Sequence, residues 1–108
     1  MTDIKQGANI ETLINTFTTT EETQQQVLEL LIETTEEHIS QLPGFISANF
    51  HKSPDGKNVV NYAQWESAEA WQAMLDAPAA SAHIGEVLKL ATANFNLYEV
   101  VATIAPKH

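Results

Sequence analysis

The feature that most constrains the fold of this chain is a tight turn between two strand-like runs. "FISANFHK" (45–52) and "NVVNYAQWES" (58–67) flank "SPDGKN", in which Asp55-Gly56 supplies the residues that tolerate a positive φ. Such a turn joins two antiparallel strands. Strand alternation puts Phe45, Ser47, Asn49 and His51 on one face of the first, and Ile46, Ala48 and Phe50 on the other. On the second strand Asn61, Ala63 and Trp65 share a face, opposite Tyr62, Gln64 and Glu66.

Each side of this hairpin carries one more strand and one more helix. Residues 11–19, "ETLINTFTT", are rich in β-branched side chains and read as a strand after a loose lead-in over residues 1–9. Thr19 and Glu22 stand three apart as a capping box, which predicts a helix from about Thr20 to Gln41. Val27, Leu28, Leu31, Ile32, Thr35, His38, Ile39 and Leu42 form its core-facing stripe, and "LPGF" ends it. After the hairpin, Ser67 is an N-cap for "SAEAWQAMLDA", and Pro78 stops that helix. A further helix over about 79–93 carries Ile84, Val87, Leu88 and Ala91 on one face, and "FNLYEVVATI" (95–104) makes the last strand.

The order strand, helix, strand, strand, helix, strand is the split βαβ, ferredoxin-like arrangement of the α+β class. Right-handed crossovers place the helices on one face of a four-stranded antiparallel sheet and leave the other face bare. A second copy is the simplest cover, so the expectation is a homodimer through its sheet faces. The chain of 108 residues, 44% apolar, forms one domain over residues 10–105 with a single modest core and room for one small site.

Composition excludes several function classes. A net charge of −9 opposes nucleic acid and anionic membrane surfaces. Most of it lies in "TEETQQQVLELLIETTEEH", a solvated helix face. No apolar run reaches the about 18 residues of a membrane span, and "MTDIKQGANIE" has no secretory pattern, so the expected location is cytoplasmic. With zero cysteines, disulfides, thiolate metal sites and cysteine catalysis are ruled out. His83 and Glu86 are spaced as a ligand pair on a helix, but no second set completes a metal site.

The 30 residues "LPGFISANFHKSPDGKNVVNYAQWESAEAW" resemble the antibiotic biosynthesis monooxygenase family of dimeric α+β barrels. Within it they are most similar to the cofactor-independent oxygenases that convert anthrone-type polyketides to quinones. The resemblance implies an oxidoreductase that needs no cofactor and takes a small phenolic or polycyclic aromatic substrate and dioxygen. It implies catalytic positions at Asn15, Asn61 and Trp65. One member also uses two tyrosines and an arginine; this chain has Phe50, Trp71 and Gly85 there, so those phenol and guanidinium donors are missing. Phe50, His51, Trp71 and His83 are the candidate substrate-binding residues.

The residue types suit that chemistry. An anthrone-like C–H acid gives an enolate that can reduce dioxygen unaided, so the protein must bind the ring, hold an oxyanion with neutral donors and exclude water. Asn15 and Asn61 offer amide N–H groups, and Trp65 can stack or donate its indole N–H. Small Ala63 between Asn61 and Trp65 leaves a gap for a flat ligand if that face looks toward the helices. His51 and His83 can each accept a proton, and spacing selects neither. Two other readings stand beside this one: a non-catalytic module for a small hydrophobic ligand, and a haem-binding or haem-degrading protein. For haem the family histidine would fall at Ile84, one residue past His83.

Overall fold

A computed structural model describes residues 10–107 and has the expected order of elements. They are β1 (Glu11–Thr18), α1 (Gln24–Glu37), a 3-10 turn (Ile39–Gln41), β2 (Phe45–Lys52), β3 (Asn58–Trp65), α2 (Ala68–Asp76), α3 (Pro78–Val87) and β4 (Thr92–Tyr98). The strands form one antiparallel sheet in the order β2-β3-β1-β4, which is the ferredoxin-like topology. The lead-in over residues 1–9 lies outside the described residues.

Two clusters between helices and sheet make the core. One gathers Leu13, Ala63, Trp65, Met74 and Ala80; the other gathers Phe17, Val27, Leu31, Val59 and Val87. Both draw on the odd-numbered residues of β1 and β3, so the face of Asn61, Ala63 and Trp65 is the one that looks toward the helices. The opposite face is less bare than the sequence suggests. Thr12, Ser47 and Gln64 are buried there, and the Gln64 amide Nε2 donates to Thr12 Oγ1 at 3.0 Å.

The first correction concerns β2. A bulge between Phe45 and Ser47 lets Phe45 pair with Trp65 while Ser47 pairs with Gln64. The extra residue switches parity, so Phe45 shares the helix-side face with Ala48 and Phe50 instead of the Ser47 face. Its ring meets Trp65 edge-on, centroids 5.4 Å apart. Gly44 makes the entry to this strand possible: its φ is +87°, a Cβ there would strike the Ala70 Cβ, and its carbonyl accepts from Glu66 N at 2.7 Å.

The second correction concerns the start of α1, which begins at Gln24, not Thr20. Thr19 is no cap, because its hydroxyl donates to Gly56 O at 2.8 Å across the fold. The reciprocal box falls one residue later: Thr23 N donates to Thr20 Oγ1, and Thr20 N donates to Thr23 Oγ1. Gln24 Nε2 then donates to the carbonyls of Ser53 and Asn58, tying the helix start to the hairpin. Ser67 does cap α2, accepting from Ala70 N at 3.1 Å.

The third correction is at the C-terminal end. α3 stops at Val87, β4 runs Thr92–Tyr98 in place of 95–104, and residues 99–107 have no regular structure. Pro78 fits as the first residue of α3 because its missing N–H would have no partner there anyway. Leu88 is 47% exposed, so it is not part of the buried face.

The Asp55-Gly56 turn forms as expected, with Gly56 at φ +80°. The Asp55 carboxylate accepts from the Ser53 hydroxyl at 2.6 Å and from Lys57 N at 2.9 Å. These donors, the hydroxyl first, hold its pKa below the ordinary 3.8. A depressed carboxylate contributes stability that is present above its unfolded pKa and lost as pH falls through the folded one. Asp55→Ala is therefore expected to lower stability at pH 7 and to weaken its dependence on pH below about 4. Denaturant titrations across that range check it; parallel curves for wild type and variant would contradict it.

Candidate active site

Strand register builds the site. Asn15 on β1 is the direct partner of Asn61 on β3; Phe50 lies beyond Asn61 on β2, and Phe95 beyond Asn15 on β4. One row across the sheet therefore reads Phe50, Asn61, Asn15, Phe95, two amides between two aromatic rings. Phe95 is steadied by an edge-on contact with Phe17, centroids 5.7 Å apart.

Above this row is a cavity of about 250 Å³. The amides and the two phenylalanines lie along its sheet side. The helices supply Leu31 and Thr35 from α1, Trp71 and Met74 from α2, and His83 and Ile84 from α3. The Thr34 and Thr35 hydroxyls are already engaged, donating to Leu30 O and Leu31 O at 2.8 Å. The helices thus present the cavity with almost nothing but carbon. The cavity is open to solvent, since its lining residues Phe95 and Leu75 are 45% and 37% exposed, so a ligand has a way in.

The two amides differ in what they can offer. Asn61 Oδ1 accepts from Asn49 N at 3.3 Å, and among the described residues its Nδ2 has no acceptor. Asn15 is nine-tenths buried, and its Oδ1 is sealed from solvent without a hydrogen-bond partner. An unmet buried polar atom carries a cost of about 1–3 kcal/mol. Asn61 thus keeps a free amide donor at the sheet side of the cavity, and Asn15 beside it in the row holds an acceptor in reserve.

The other expected residues separate. Trp65 is 2% exposed and lines a second chamber of about 40 Å³, the gap over Ala63, which shares Asn15 and Asn61 with the larger one. It stands four residues along β3 from Asn61 on the same face and does not wall the main cavity. Phe50, Trp71 and His83 line that cavity. His51 does not: it stands on the opposite face of the sheet and is exposed. Met74, whose spacing on α2 reads as ordinary core packing, lines both chambers. Among the described residues no cluster of three His, Asp or Glu side chains could hold a metal ion.

Comparison with known proteins bears on the family and the fold. The family model of antibiotic biosynthesis monooxygenases matches residues 12–86. Tetracenomycin-F1 monooxygenase of Streptomyces glaucescens is 41% identical over 83 residues, covering 77% of this chain and 74% of that one. Among solved structures, a monooxygenase from the gene ActVA-Orf6 of Streptomyces coelicolor, in complex with nanaomycin D, is 30% identical with a TM-score of 0.74, covering 92% and 93% of the two chains. SnoaB, a cofactor-independent oxygenase from Streptomyces nogalater, shares the fold with a TM-score of 0.76 at 22% identity, covering 92% of this chain and 100% of that one.

The two tryptophans give a test of the site's layout. Trp65→Ala should cost about 3–5 kcal/mol, as for a large buried aromatic. Trp71→Ala, at a half-buried cavity wall, should cost clearly less. Urea denaturation of both variants measures this, and equal losses would contradict the placement.

Proposed function

The chain belongs to the antibiotic biosynthesis monooxygenase family, and from that membership we propose that it oxidises a small phenolic or polycyclic aromatic C–H acid with dioxygen, without a cofactor. The single observation that carries this reading is the paired asparagine row, Asn61 with its free Nδ2 donor next to Asn15, at the sheet side of a mostly apolar cavity. On this reading the carbonyl oxygen of a flat hydroxyaryl ketone accepts from Asn61, and a neighbouring phenol donates to Asn15 once that amide rotates its oxygen into the cavity.

The physical demands of the chemistry follow from the substrate. Loss of the activated C–H proton moves charge onto the carbonyl oxygen. An amide N–H aimed at that oxygen in a dry site stabilises the charge most where it is greatest. The aromatic rings of Phe50, Trp71 and Phe95 hold the flat substrate and keep water from the carbanion. Trp65 closes the smaller chamber that adjoins Asn61 and Asn15 in this arrangement. The likeness to tetracenomycin-F1 monooxygenase and to a monooxygenase that binds nanaomycin D supports an aromatic polyketide as the substrate class.

Oxygen uptake and quinone formation with a model anthrone test the reaction. Asn61→Ala is expected to lower kcat by about 10²- to 10³-fold, the range for removing one oxyanion donor. Asn15→Leu should chiefly raise KM for hydroxylated substrates. No turnover of anthrones, quinols or related phenols by the wild type would end the assignment.

A homodimer belongs to the same proposal. Ile14, Val60 and Tyr62 are half-buried on the face away from the helices, in paired or adjacent rows, and a second copy would cover them. Light scattering should give twice the chain mass; a monomer at micromolar concentration would remove the dimer.

A further inference from the structure

The chemistry proposed above requires a group that takes a proton from carbon, and neither asparagine can serve. Among the described residues fifteen line the cavity, and of these His83 alone has a side chain that can accept a proton near neutral pH. Trp71 is a donor only, and the two threonine hydroxyls already donate to backbone carbonyls.

His83 is placed for the task. It projects from α3 into the helix side of the cavity, across from the amide row on the sheet. Among the described residues its ring makes no hydrogen bond; Nδ1 is sealed from the cavity, so Nε2 is the nitrogen that can meet a ligand there. Behind it stands His38, the residue that ends α1, with ring centroids 5.4 Å apart and planes tilted by 55°. The nearest acidic residue on its own helix, Glu86, is exposed.

We propose that His83 is the catalytic proton acceptor and donor of this oxygenation, with His38 as the positioning residue that fixes its ring; the inference rests on the function proposed above. The imidazole takes one proton from the activated methylene, and the C–H electron pair passes into the enolate whose oxygen Asn61 holds. The carbanion adds to dioxygen, forming a C–O bond; carbon is oxidised and dioxygen is reduced to a bound peroxide. The imidazolium returns its proton to the distal peroxide oxygen. Neutral His83 then takes the second C–H proton as the O–O bond breaks, and the departing hydroxide receives that proton and leaves as water. Methylene and dioxygen have become carbonyl and water, and His83 ends as it began.

His51 is the internal control, since it sits on the other face of the sheet. Oxygen uptake with anthrone is measured for wild type, His83→Gln, His83→Ala, His38→Gln and His51→Gln, with binding of the matching anthraquinone followed in parallel. General acid–base catalysis contributes about 10²- to 10⁴-fold. His83→Gln should therefore lose at least about 100-fold in kcat while still binding the quinone, and added imidazole should restore part of the activity of His83→Ala. His38→Gln should lower kcat with KM unchanged, and His51→Gln should behave as wild type. If wild type is active and His83→Gln keeps its rate, or if His83→Gln fails to bind quinone and imidazole rescues nothing, His83 is not the proton acceptor. Wild-type kcat in His38→Gln removes His38 alone. No oxygen uptake by wild type overturns the underlying function and this inference with it.

Discussion

The site depends on one pairing, that of Asn15 with Asn61 across β1 and β3. Side chains on strands alternate with a period of two, so a slip of one residue would turn every residue of one strand to the wrong face. Leu13 and Phe17, on either side of Asn15, are 2% and 3% exposed, and Val59 and Ala63, on either side of Asn61, are equally sheltered. Apolar neighbours at i±2 thus lock the register, and the register carries two amides into the core with them. Four buried residues make it affordable to hold two polar ones there.

That arrangement separates charge from chemistry. Among the described residues no carboxylate or ammonium lines the cavity, although the chain carries a net charge of −9. A fixed anion beside a developing enolate would oppose it, and a fixed cation would be costly to bury without a partner. Neutral amide dipoles avoid both penalties. They also require support, because an amide free to rotate would follow the charge instead of awaiting it. The Asn49 N–H on Asn61 Oδ1 supplies that support through backbone already fixed in β2.

Much of this was legible in the sequence, and the failures have physical causes. The Asp55-Gly56 turn and the alternation of β3 were enough to place Asn61, Ala63 and Trp65 on one face. The bulge at Phe45–Ser47 was not legible: no glycine or proline marks it, and Ile46 suits either face equally. A run of threonines at 18, 19, 20 and 23 offers several equivalent helix starts, and the long-range bond from Thr19 to Gly56 decided among them. "LKLATANF" has apolar spacing compatible with helix or strand, so pairing of Thr92 to Tyr98 with β1 set the boundary. Local pattern could not separate His51 from His83, since only the stacking of α3 over the sheet shows which one meets the cavity.

The helix layer, read this way, is more than a cover for the sheet. Sheet-borne amides are precise because ladder hydrogen bonds fix them, which suits groups that must await a charge. A proton acceptor has a different task, since it must reach the carbon from the face of the ring that the amides leave open. α3 meets that need: it crosses above the sheet, begins at a proline that fits its first turn, and packs on α1 and α2, so His83 faces the amide row from the opposite side of the cavity. On the proposed chemistry the division of labour follows the layers of the fold, with the oxygen of the substrate held by the sheet and its proton handled by the helices.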